Sequence, residues 1–250
     1  MQYIFLLAFI LLLTACRQQP IQPKLDTAQL TYPQSTSMTH GSTASRSSTL
    51  RTPELAAAFQ VWLKQADHQQ QVQSYKAFLQ QHQIANVISD FELLQTARDW
   101  QKCAAQEFEV PPREIWSNIV PTLNILKQLV QRGVIQDFSV TSVYRNFNLN
   151  RCAAGADSSR HVFNSALDFR IGSPQPSADE QRMIEQSKQR LCQFWLEQGE
   201  ALQMGLGIYA SGQIHIDSAG YRTWGPDHKK TSSPCLNASF LSQTQASIIP

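Results

Sequence analysis

Apolar residues recur at helical spacing over the longest patterned part of the chain, residues 113–132. Positions three and four apart lie on the same side of an α-helix, so this spacing predicts an amphipathic helix. Pro121 is expected to kink this helix or divide it in two, and Gly133 is expected to end it. The apolar positions are Ile115, Trp116, Ile119, Leu123, Leu126, Leu129 and Val130.

Short alternating segments predict β-strands after this helix. Apolar and polar residues alternate over residues 137–143, which predicts one strand, and over residues 166–171, which predicts another. Residues 206–209 and 213–217 predict a hairpin whose turn lies near Gly212. No internal repeat is visible in the sequence.

Capping signals mark the starts of two further helices. Ser177 and Glu180 form a capping box, which predicts a helix that runs to about Gln198. A similar box at Ser89 and Glu92 predicts an earlier helix. That helix is expected to continue through Leu93, Leu94 and Ala97.

The segment before the amphipathic helix, residues 53–112, is predicted to be a small helical arm. Thr52 is a candidate N-cap, and Pro53 follows it at the first helical position. At the other end of the chain, residues 229–250 are rich in Ser, Thr, Gln and Asn and predict a loose tail. The apolar positions that support the first helix of the arm are Leu55, Phe59, Trp62, Leu63 and Ala66.

The N-terminus carries the pattern of an export signal. Residues 4–13 are uniformly apolar, but they are too few to cross a bilayer core of about 30 Å as a helix, so residues 1–15 predict a signal peptide. The segment Leu13–Cys16 resembles the bacterial lipobox, in which the Cys is diacylated and becomes the mature N-terminus. An ordinary cleaved signal is the alternative, since residues 1–3 contain no Lys or Arg.

The polar segment after the signal peptide indicates how the protein is attached to a membrane. Residues 16–52 combine the lipidated Cys16 with a flexible tether rich in Gln, Ser, Thr and Pro. Arg17 follows the Cys, and by the usual sorting rule a residue other than Asp directs a Gram-negative lipoprotein to the outer membrane. We therefore expect a periplasmic protein that is anchored to the outer membrane through its N-terminal lipid.

Composition excludes two classes of protein. Hydrophobic residues make up 42% of the 250 residues, with five Trp and twelve Phe, which is enough for a packed core and excludes wholesale disorder. The 21 Lys and Arg nearly balance the 19 Asp and Glu and form no basic block. Nucleic acid is therefore not expected as the main partner, because binding to phosphates needs clustered cations.

Four cysteines lie beyond the lipidated Cys16. In an oxidising compartment they can form two disulfides, in three possible pairings that the sequence does not separate. Buried free thiols are the alternative. No two of them are spaced as Cys-x-x-Cys, which argues against a zinc knuckle or a thioredoxin-type site. They are Cys103, Cys152, Cys192 and Cys235.

Two histidines stand beside carboxylates in a strand context. Alternation in the strand at 166–171 directs Asp168 to the face opposite its apolar neighbours, and His161 precedes it by seven residues. In the last predicted strand, His215 shares its face with Asp217. Two imidazoles and one carboxylate are the ligands of a typical catalytic zinc ion, which keeps its fourth position for water. The alternative is a set of surface side chains in separate loops.

A series of short motifs in the second half of the chain occurs in a characteristic order. The motifs are Ser142–Arg145, Asn150, Gly155–Ala156, Ser159–His161, Ala166–Asp168, Gly207–Tyr209, His215–Asp217 and Arg222–Trp224. Together they resemble the zinc D-Ala-D-Ala carboxypeptidase and murein endopeptidase family. The zinc site of that family is similar to those of lysostaphin-type peptidases and of the hedgehog signalling domain. The resemblance covers about residues 113–225 and indicates a zinc peptidase-like domain at 113–228.

This resemblance implies both a fold and a site. The fold it implies is α+β, a small antiparallel sheet with flanking helices that carries the zinc site, here preceded by the helical arm. It implies Zn²⁺ bound by His161, Asp168 and His215, and peptidoglycan stem peptide as the substrate. It also implies that Arg145 contacts the substrate, since a guanidinium can bind a carboxylate or a carbonyl through two nitrogens. A structural ion pair is the alternative for this arginine.

The general base departs from the family pattern. Relatives carry a Glu three residues before the last zinc-binding His or a His two residues before it, whereas Gly212 and Gln213 occupy these positions here. Asp217 is the nearest candidate to accept a proton, or else it orients an imidazole. Ser159 either binds substrate or stabilises the turn before His161.

The predicted function follows from these features. We expect a zinc peptidase, most readily a murein endopeptidase, because an enzyme tethered to a membrane meets polymer rather than small precursors. The alternatives are a D-Ala-D-Ala carboxypeptidase and a non-catalytic, zinc-containing lipoprotein that binds murein. A serine nucleophile is not supported, because the sequence contains neither Ser-x-x-Lys nor Gly-x-Ser-x-Gly.

Overall fold

The computed structural model describes residues 52–246. The predicted signal peptide, Cys16 and the tether before residue 52 lie outside the described residues. Within residues 52–246, no helix combines the length and the apolar character needed to cross a membrane.

Five short strands form one sheet. They are β1 (Phe138–Ser142), β2 (Ala166–Ile171), β3 (Gly205–Ile208), β4 (Gln213–Asp217) and β5 (Arg222–Trp224). Their order across the sheet is β1-β2-β4-β3-β5, and all neighbours are antiparallel except β3 and β5, which are parallel. Both β2 and β4 have their predicted bounds. The sequence did not predict β5, because three residues are too few to show alternation.

Helices surround this sheet. The α-helices of the described residues are α1 (Thr52–Leu63), α2 (His68–Gln81), α3 (Asp90–Leu93), α4 (Ile119–Gln131), α5 (Phe147–Cys152), α6 (Ala178–Gln198) and α7 (Ala238–Ala246). Short 3₁₀ helices cover Arg113–Asn118, Lys230–Ser232 and Pro234–Leu236. The mixed fold predicted above, a small sheet with flanking helices, is confirmed.

Residues 113–132 are divided as expected, but not at the proline. The 3₁₀ helix ends at Asn118 and α4 begins at Ile119, so Pro121 lies in the first turn of α4. The first four N–H groups of an α-helix have no partner within it, so a proline is tolerated there. Gly133 follows the end of α4 with φ +66°, a backbone conformation that favours glycine.

The capping box at Ser89 forms, but the helix that it opens is short. Ser89 Oγ donates to a carboxylate oxygen of Glu92 over 2.7 Å. The prediction that α3 continues to Ala97 is wrong, because Gln95 leaves the helix and forms a β-bridge with Phe108. The other oxygen of Glu92 accepts a hydrogen bond from Val140 N over 3.1 Å, which ties α3 to β1.

The predicted helical arm shares one apolar core with the sheet. Tyr75 of α2 lies 5.1 Å, centroid to centroid, from the ring of Trp116, and its hydroxyl accepts a hydrogen bond from Asn164 Nδ2. A single cluster of buried side chains joins α1 and α2 to the sheet. Residues 53–112 thus pack into the same core as the sheet, and their assignment as a distinct arm stays a prediction. Members of the cluster include Phe59, Trp62, Leu79, Leu126, Phe169, Ile214 and Ile216.

Two disulfides select one of the three possible pairings. Cys103 pairs with Cys152, and Cys192 of α6 pairs with Cys235. Cys235 is almost completely buried, and Gln189 Nε2 donates to Phe240 O over 3.1 Å. The prediction of a loose tail is therefore wrong for its first part, which the second disulfide and this hydrogen bond hold against α6.

Candidate metal centre

Three side chains converge on the polar face of the sheet. Asp168 of β2 and His215 of β4 are direct partners across the two strands. His161 comes from the loop between α5 and β2. Its Nε2 atom lies 3.2 Å from Asp168 Oδ1 and 3.3 Å from His215 Nδ1, and the third edge of this triangle, between His215 Nδ1 and Asp168 Oδ1, is 2.8 Å. All three residues are more than nine-tenths buried.

This triangle fits a small divalent cation. Zinc bonds of about 2.0–2.2 Å in a tetrahedral arrangement place neighbouring ligand atoms about 3.3–3.5 Å apart. The two edges that meet at His161 Nε2, 3.2 and 3.3 Å, are close to this spacing. The edge between His215 Nδ1 and Asp168 Oδ1, 2.8 Å, would need to lengthen slightly. The three residues therefore form a group that can hold a metal ion. Two imidazole nitrogens and one carboxylate oxygen are also a donor set suited to such a cation.

The second nitrogen of each imidazole has its own acceptor. His161 Nδ1 lies 2.6 Å from Val143 O, and His215 Nε2 lies 2.9 Å from Asp217 Oδ2. Each acceptor favours the tautomer whose proton it receives, which leaves the lone pair of the other nitrogen directed at the centre. Both rings are therefore fixed in orientation and in tautomer for metal binding.

Asp217 faces away from the centre, behind the ring of His215. It is fully buried, and Arg222 reaches both of its oxygens, with Nη1 3.0 Å from Oδ1 and Nη2 2.7 Å from Oδ2. Ala219 N donates to Oδ1 over 2.8 Å. Burial would raise the pKa of Asp217, but the hydrogen bond from His215 and these other contacts lower it overall. These contacts fit the alternative, a carboxylate that orients His215, and the predicted proton-accepting role stays a prediction.

Arg145 is held against the candidate ligand Asp168. Its Nη2 donates to Asp168 Oδ2 over 2.6 Å and its Nε to Ser142 Oγ over 2.8 Å. A bulge at Thr141 makes this possible, because the extra residue turns Ser142 to the face where Asp168 lies. The ion pair that was the alternative for Arg145 is therefore present. Within residues 52–246, its Nη1 meets no protein acceptor, so this nitrogen remains able to contact a substrate.

The three side chains of the cluster shift one another's pKa. Burial lowers the pKa of His161, since it disfavours the charged imidazole. Burial would raise the pKa of Asp168, but His161 and His215 beside it hold that pKa well below its usual range. Burial also opposes a charge on His215, but hydrogen bonds to Asp168 and Asp217 outweigh it and raise its pKa to about 9. An ionised carboxylate thus lies at the point where the three ligand atoms meet.

Ser159 lies in the turn that leads to His161. Its N–H donates to Ala156 O over 2.9 Å, and its carbonyl accepts from Val162 N over 3.2 Å. These bonds support a role in stabilising the turn. The predicted contact of its hydroxyl with substrate stays a prediction.

Aromatic side chains border the centre on the side of β3 and β5. The ring of Trp224 lies 5.2 Å from that of His215 and crosses Gly207, where an added Cβ atom would approach the indole to 2.6 Å. Trp224 Nε1 donates to the hydroxyl of Tyr209 over 3.1 Å. The ring of His228 lies 5.5 Å from that of Tyr209. Sequence reasoning missed His228, since neither spacing nor a strand pattern connects it to the site.

One comparison with known proteins gives a match. The family model described as Peptidase M15 covers residues 87–217, which is more than half of the chain and includes all three candidate ligands. This match begins before residue 113, within the predicted arm. No curated protein and no solved structure matches significantly.

Proposed function

We propose, because the chain belongs to the peptidase M15 family of metallopeptidases, that it is a zinc-dependent endopeptidase acting on the stem peptides of peptidoglycan. The observation that carries this proposal is the triangle formed by His161, Asp168 and His215. Its spacing suits tetrahedral zinc, and a hydrogen-bond acceptor fixes the second nitrogen of each ring. Zinc suits this set of two nitrogens and one oxygen better than Mg²⁺ or Ca²⁺, which prefer oxygen ligands.

The surrounding residues would prepare the site for hydrolysis. When bound, zinc supplies Lewis-acid activation of a water molecule and of the substrate carbonyl. Val143 O and Asp217 hold the two imidazoles, and Arg145 holds Asp168. Nη1 of Arg145 is then available to donate to the carbonyl oxygen of the bond to be cleaved, where negative charge develops. The ring of Trp224 borders the site next to His215.

The substrate and the location are inferred from the sequence. The motif resemblance supports peptidoglycan stem peptide as the substrate, and Cys16 with its tether supports a lipid anchor in the outer membrane facing the periplasm. An anchored enzyme meets cross-linked polymer, which favours endopeptidase over D-Ala-D-Ala carboxypeptidase activity. Muropeptide analysis separates the two, since an endopeptidase converts cross-linked dimers to monomers and a carboxypeptidase shortens stem peptides by one D-Ala.

A non-catalytic murein-binding lipoprotein is the second candidate. It is favoured by the way Asp217 is enclosed by Arg222, His215 and Ala219 N. Gly212 and Gln213, which replace the acid or histidine of relatives, cannot accept a proton either. Such a protein would keep the metal and the affinity for murein without turnover.

The deciding experiment is digestion of purified sacculi by the zinc-loaded full chain, read by mass spectrometry of the released muropeptides. We expect loss of cross-linked dimers with the wild type and none with His161→Ala, which should also lose the stoichiometric zinc. Arg182→Ala serves as a matched surface control, because its ion pair with Asp179 is exposed. Intact sacculi after incubation with fully zinc-loaded wild type would contradict the hydrolase and favour the second candidate.

A further inference from the structure

The two disulfides of the described residues differ in their exposure to solvent. Cys192 and Cys235 are almost completely buried, whereas Cys152 is exposed and Cys103 is half-buried. A thiol can attack a disulfide only where it reaches a sulfur atom, so exposed disulfides are the ones that exchange with other thiols. The bridge between Cys103 and Cys152 is therefore the one that a reductant in solution can open while the protein is folded.

Cys103 lies in a surface loop, residues 98–107, which we call the cysteine loop. None of its ten residues is buried, so it has no core of its own. At its base, Thr96 N donates to Glu107 O over 3.0 Å and Thr96 Oγ1 donates to Gln106 O over 2.7 Å. Beyond this base, the disulfide is the covalent link that joins the loop to the rest of the fold.

Cys152 is the last residue of α5, a helix of only six residues. Two of them, Leu149 and Asn150, are buried. Helices shorter than about 12–15 residues are marginally stable alone, so α5 depends on its attachments. At its N-terminal end, Asn146 accepts from Leu149 N over 3.0 Å and donates through Nδ2 to Glu109 Oε2 over 2.8 Å. The disulfide attaches the other end.

Arg145 lies between β1 and α5, within the segment that these contacts hold. Its Nε donates to Ser142 Oγ over 2.8 Å, and that hydroxyl donates to Thr96 O at the base of the cysteine loop. Its backbone N–H donates to His161 O over 3.3 Å, and its Nη2 donates to Asp168 Oδ2 over 2.6 Å. Arg145 therefore contacts two candidate metal ligands, and the chain on both sides of it is joined to the cysteine loop or its base.

We propose that the disulfide between Cys103 and Cys152 is a redox-sensitive positioning element for Arg145. A dithiol opens the bridge by exchange: its first thiolate attacks one sulfur and releases the other, and its second thiol then breaks the mixed disulfide. Two electrons and two protons pass to Cys103 and Cys152, which become thiols, and the dithiol becomes a disulfide. α5 then loses its C-terminal attachment, and Arg145 is held less firmly against Asp168.

This loosening should weaken metal binding. Asp168 Oδ1 is the oxygen in the triangle of ligand atoms, and Arg145 holds the other oxygen of the same carboxylate. Loss of such a hydrogen bond to a metal ligand typically lowers metal affinity about 10- to 100-fold. This consequence rests on the proposed function as far as zinc is the metal, but it does not require peptidase activity.

Selective reduction tests whether the bridge is open to exchange. The folded full chain is treated with a limiting amount of dithiothreitol, its thiols are labelled with iodoacetamide, and the labelled peptides are identified by mass spectrometry. We expect Cys103 and Cys152 to be labelled at least about tenfold faster than Cys192 and Cys235, which should stay bonded until the protein unfolds. Equal labelling rates for the two pairs would overturn the redox sensitivity.

Paired variants test the positioning role. Cys103→Ser with Cys152→Ser removes the exposed bridge, and Cys192→Ser with Cys235→Ser is the matched control that removes the buried one. Both should lower thermal stability, but only the first pair should weaken zinc binding, by about tenfold in competition with a chelator of known affinity. Wild-type zinc affinity in the first pair, or the same loss in both pairs, would overturn the positioning role.

A third variant tests whether the effect passes through Arg145. In an Arg145→Ala background, removal of the exposed bridge should change zinc affinity little, because the hydrogen bond to Asp168 is already lost. Substitutions that act through one shared contact are not additive. A further loss as large as that in the wild-type background would show that the bridge does not act through Arg145 and would overturn the proposal.

Hydrogen exchange on the metal-free chain separates this inference from the proposed function. The amides of Arg145 and Ala153, which donate to His161 O and Leu149 O, should exchange about tenfold faster without the exposed bridge and at wild-type rates in the control. Unchanged exchange would overturn the inference even if sacculi are digested. Faster exchange would support it even if sacculi stay intact or the wild type takes up no zinc, results that contradict the proposed function instead.

Discussion

Asp217 is a buried carboxylate that lies behind one of the three residues of the candidate metal centre. It binds the outer nitrogen of His215 and is itself held by Arg222 at both oxygens. Carboxylates in this position orient the ring and raise the basicity of the metal-binding nitrogen. The proton-transfer role suggested by the sequence would instead require an oxygen on the open side of the site.

Asp217→Asn separates these two roles. The amide keeps the shape but loses the charge, so we expect zinc affinity to fall about 10- to 100-fold, measured by competition with a chelator of known affinity. The exposed Asp179→Asn, which loses a surface ion pair, should leave zinc affinity unchanged. Unchanged zinc affinity in Asp217→Asn together with lost peptidase activity would instead support a role in proton transfer.

At the site, the sequence predicted which residues take part but not the contacts that they make. Strand alternation placed Asp168 and His215 on one face, because the two-residue period of a strand is visible in the sequence. The contacts of Arg145 and Asp217 depend on a bulge at Thr141 and on the position of Arg222 in an unpredicted strand. Both are products of tertiary packing, which local pattern does not encode.

Among the elements, the C-terminal segment departs most from what its composition indicates. Polar residues suggested a loose tail, but Cys235 is bonded to Cys192 and nearly fully buried. One disulfide bond can hold a polar segment in place even though its residues have little preference of their own for an ordered conformation. The elements with strong periodicity, such as α6, β2 and β4, were predicted with nearly their observed bounds because burial of one face determines them.

Replacing both cysteines of this bridge tests how far it stabilises the fold. The bonded residues are 43 positions apart, for which loop-closure entropy gives about 4 kcal/mol. We expect Cys192→Ser with Cys235→Ser to lower the free energy of unfolding by about 2–4 kcal/mol in urea titrations. Zinc stoichiometry should stay at the wild-type value, since neither cysteine belongs to the metal centre. An unchanged unfolding midpoint would show that packing alone holds this segment to α6.

For the whole molecule, the shared core means that residues 53–112 and the metal-binding part should unfold together. Leu79 of α2 is completely buried in the cluster that also contains the core face of the sheet. Truncation of a buried leucine to alanine typically costs about 2–5 kcal/mol. Its effect should therefore reach the entire protein rather than one part of it.

We expect Leu79→Ala to lower the midpoint of guanidinium unfolding equally by far-UV circular dichroism and by tryptophan fluorescence. Coincident curves for the two signals are the sign of a single cooperative transition. Val61→Ala is the control on the neighbouring helix, because Val61 is 62% exposed and should change stability little. Two separate transitions, with only one affected by the substitution, would indicate an independent helical arm.

The central claim is that one zinc ion binds to His161, Asp168 and His215. X-ray absorption at the zinc edge, recorded on the purified full chain, tests it most directly. We predict one zinc per chain with about four ligands of nitrogen and oxygen type, two of them imidazoles, and loss of this spectrum in His161→Ala. A spectrum with sulfur ligands, or a protein that takes up no stoichiometric zinc, would contradict the claim.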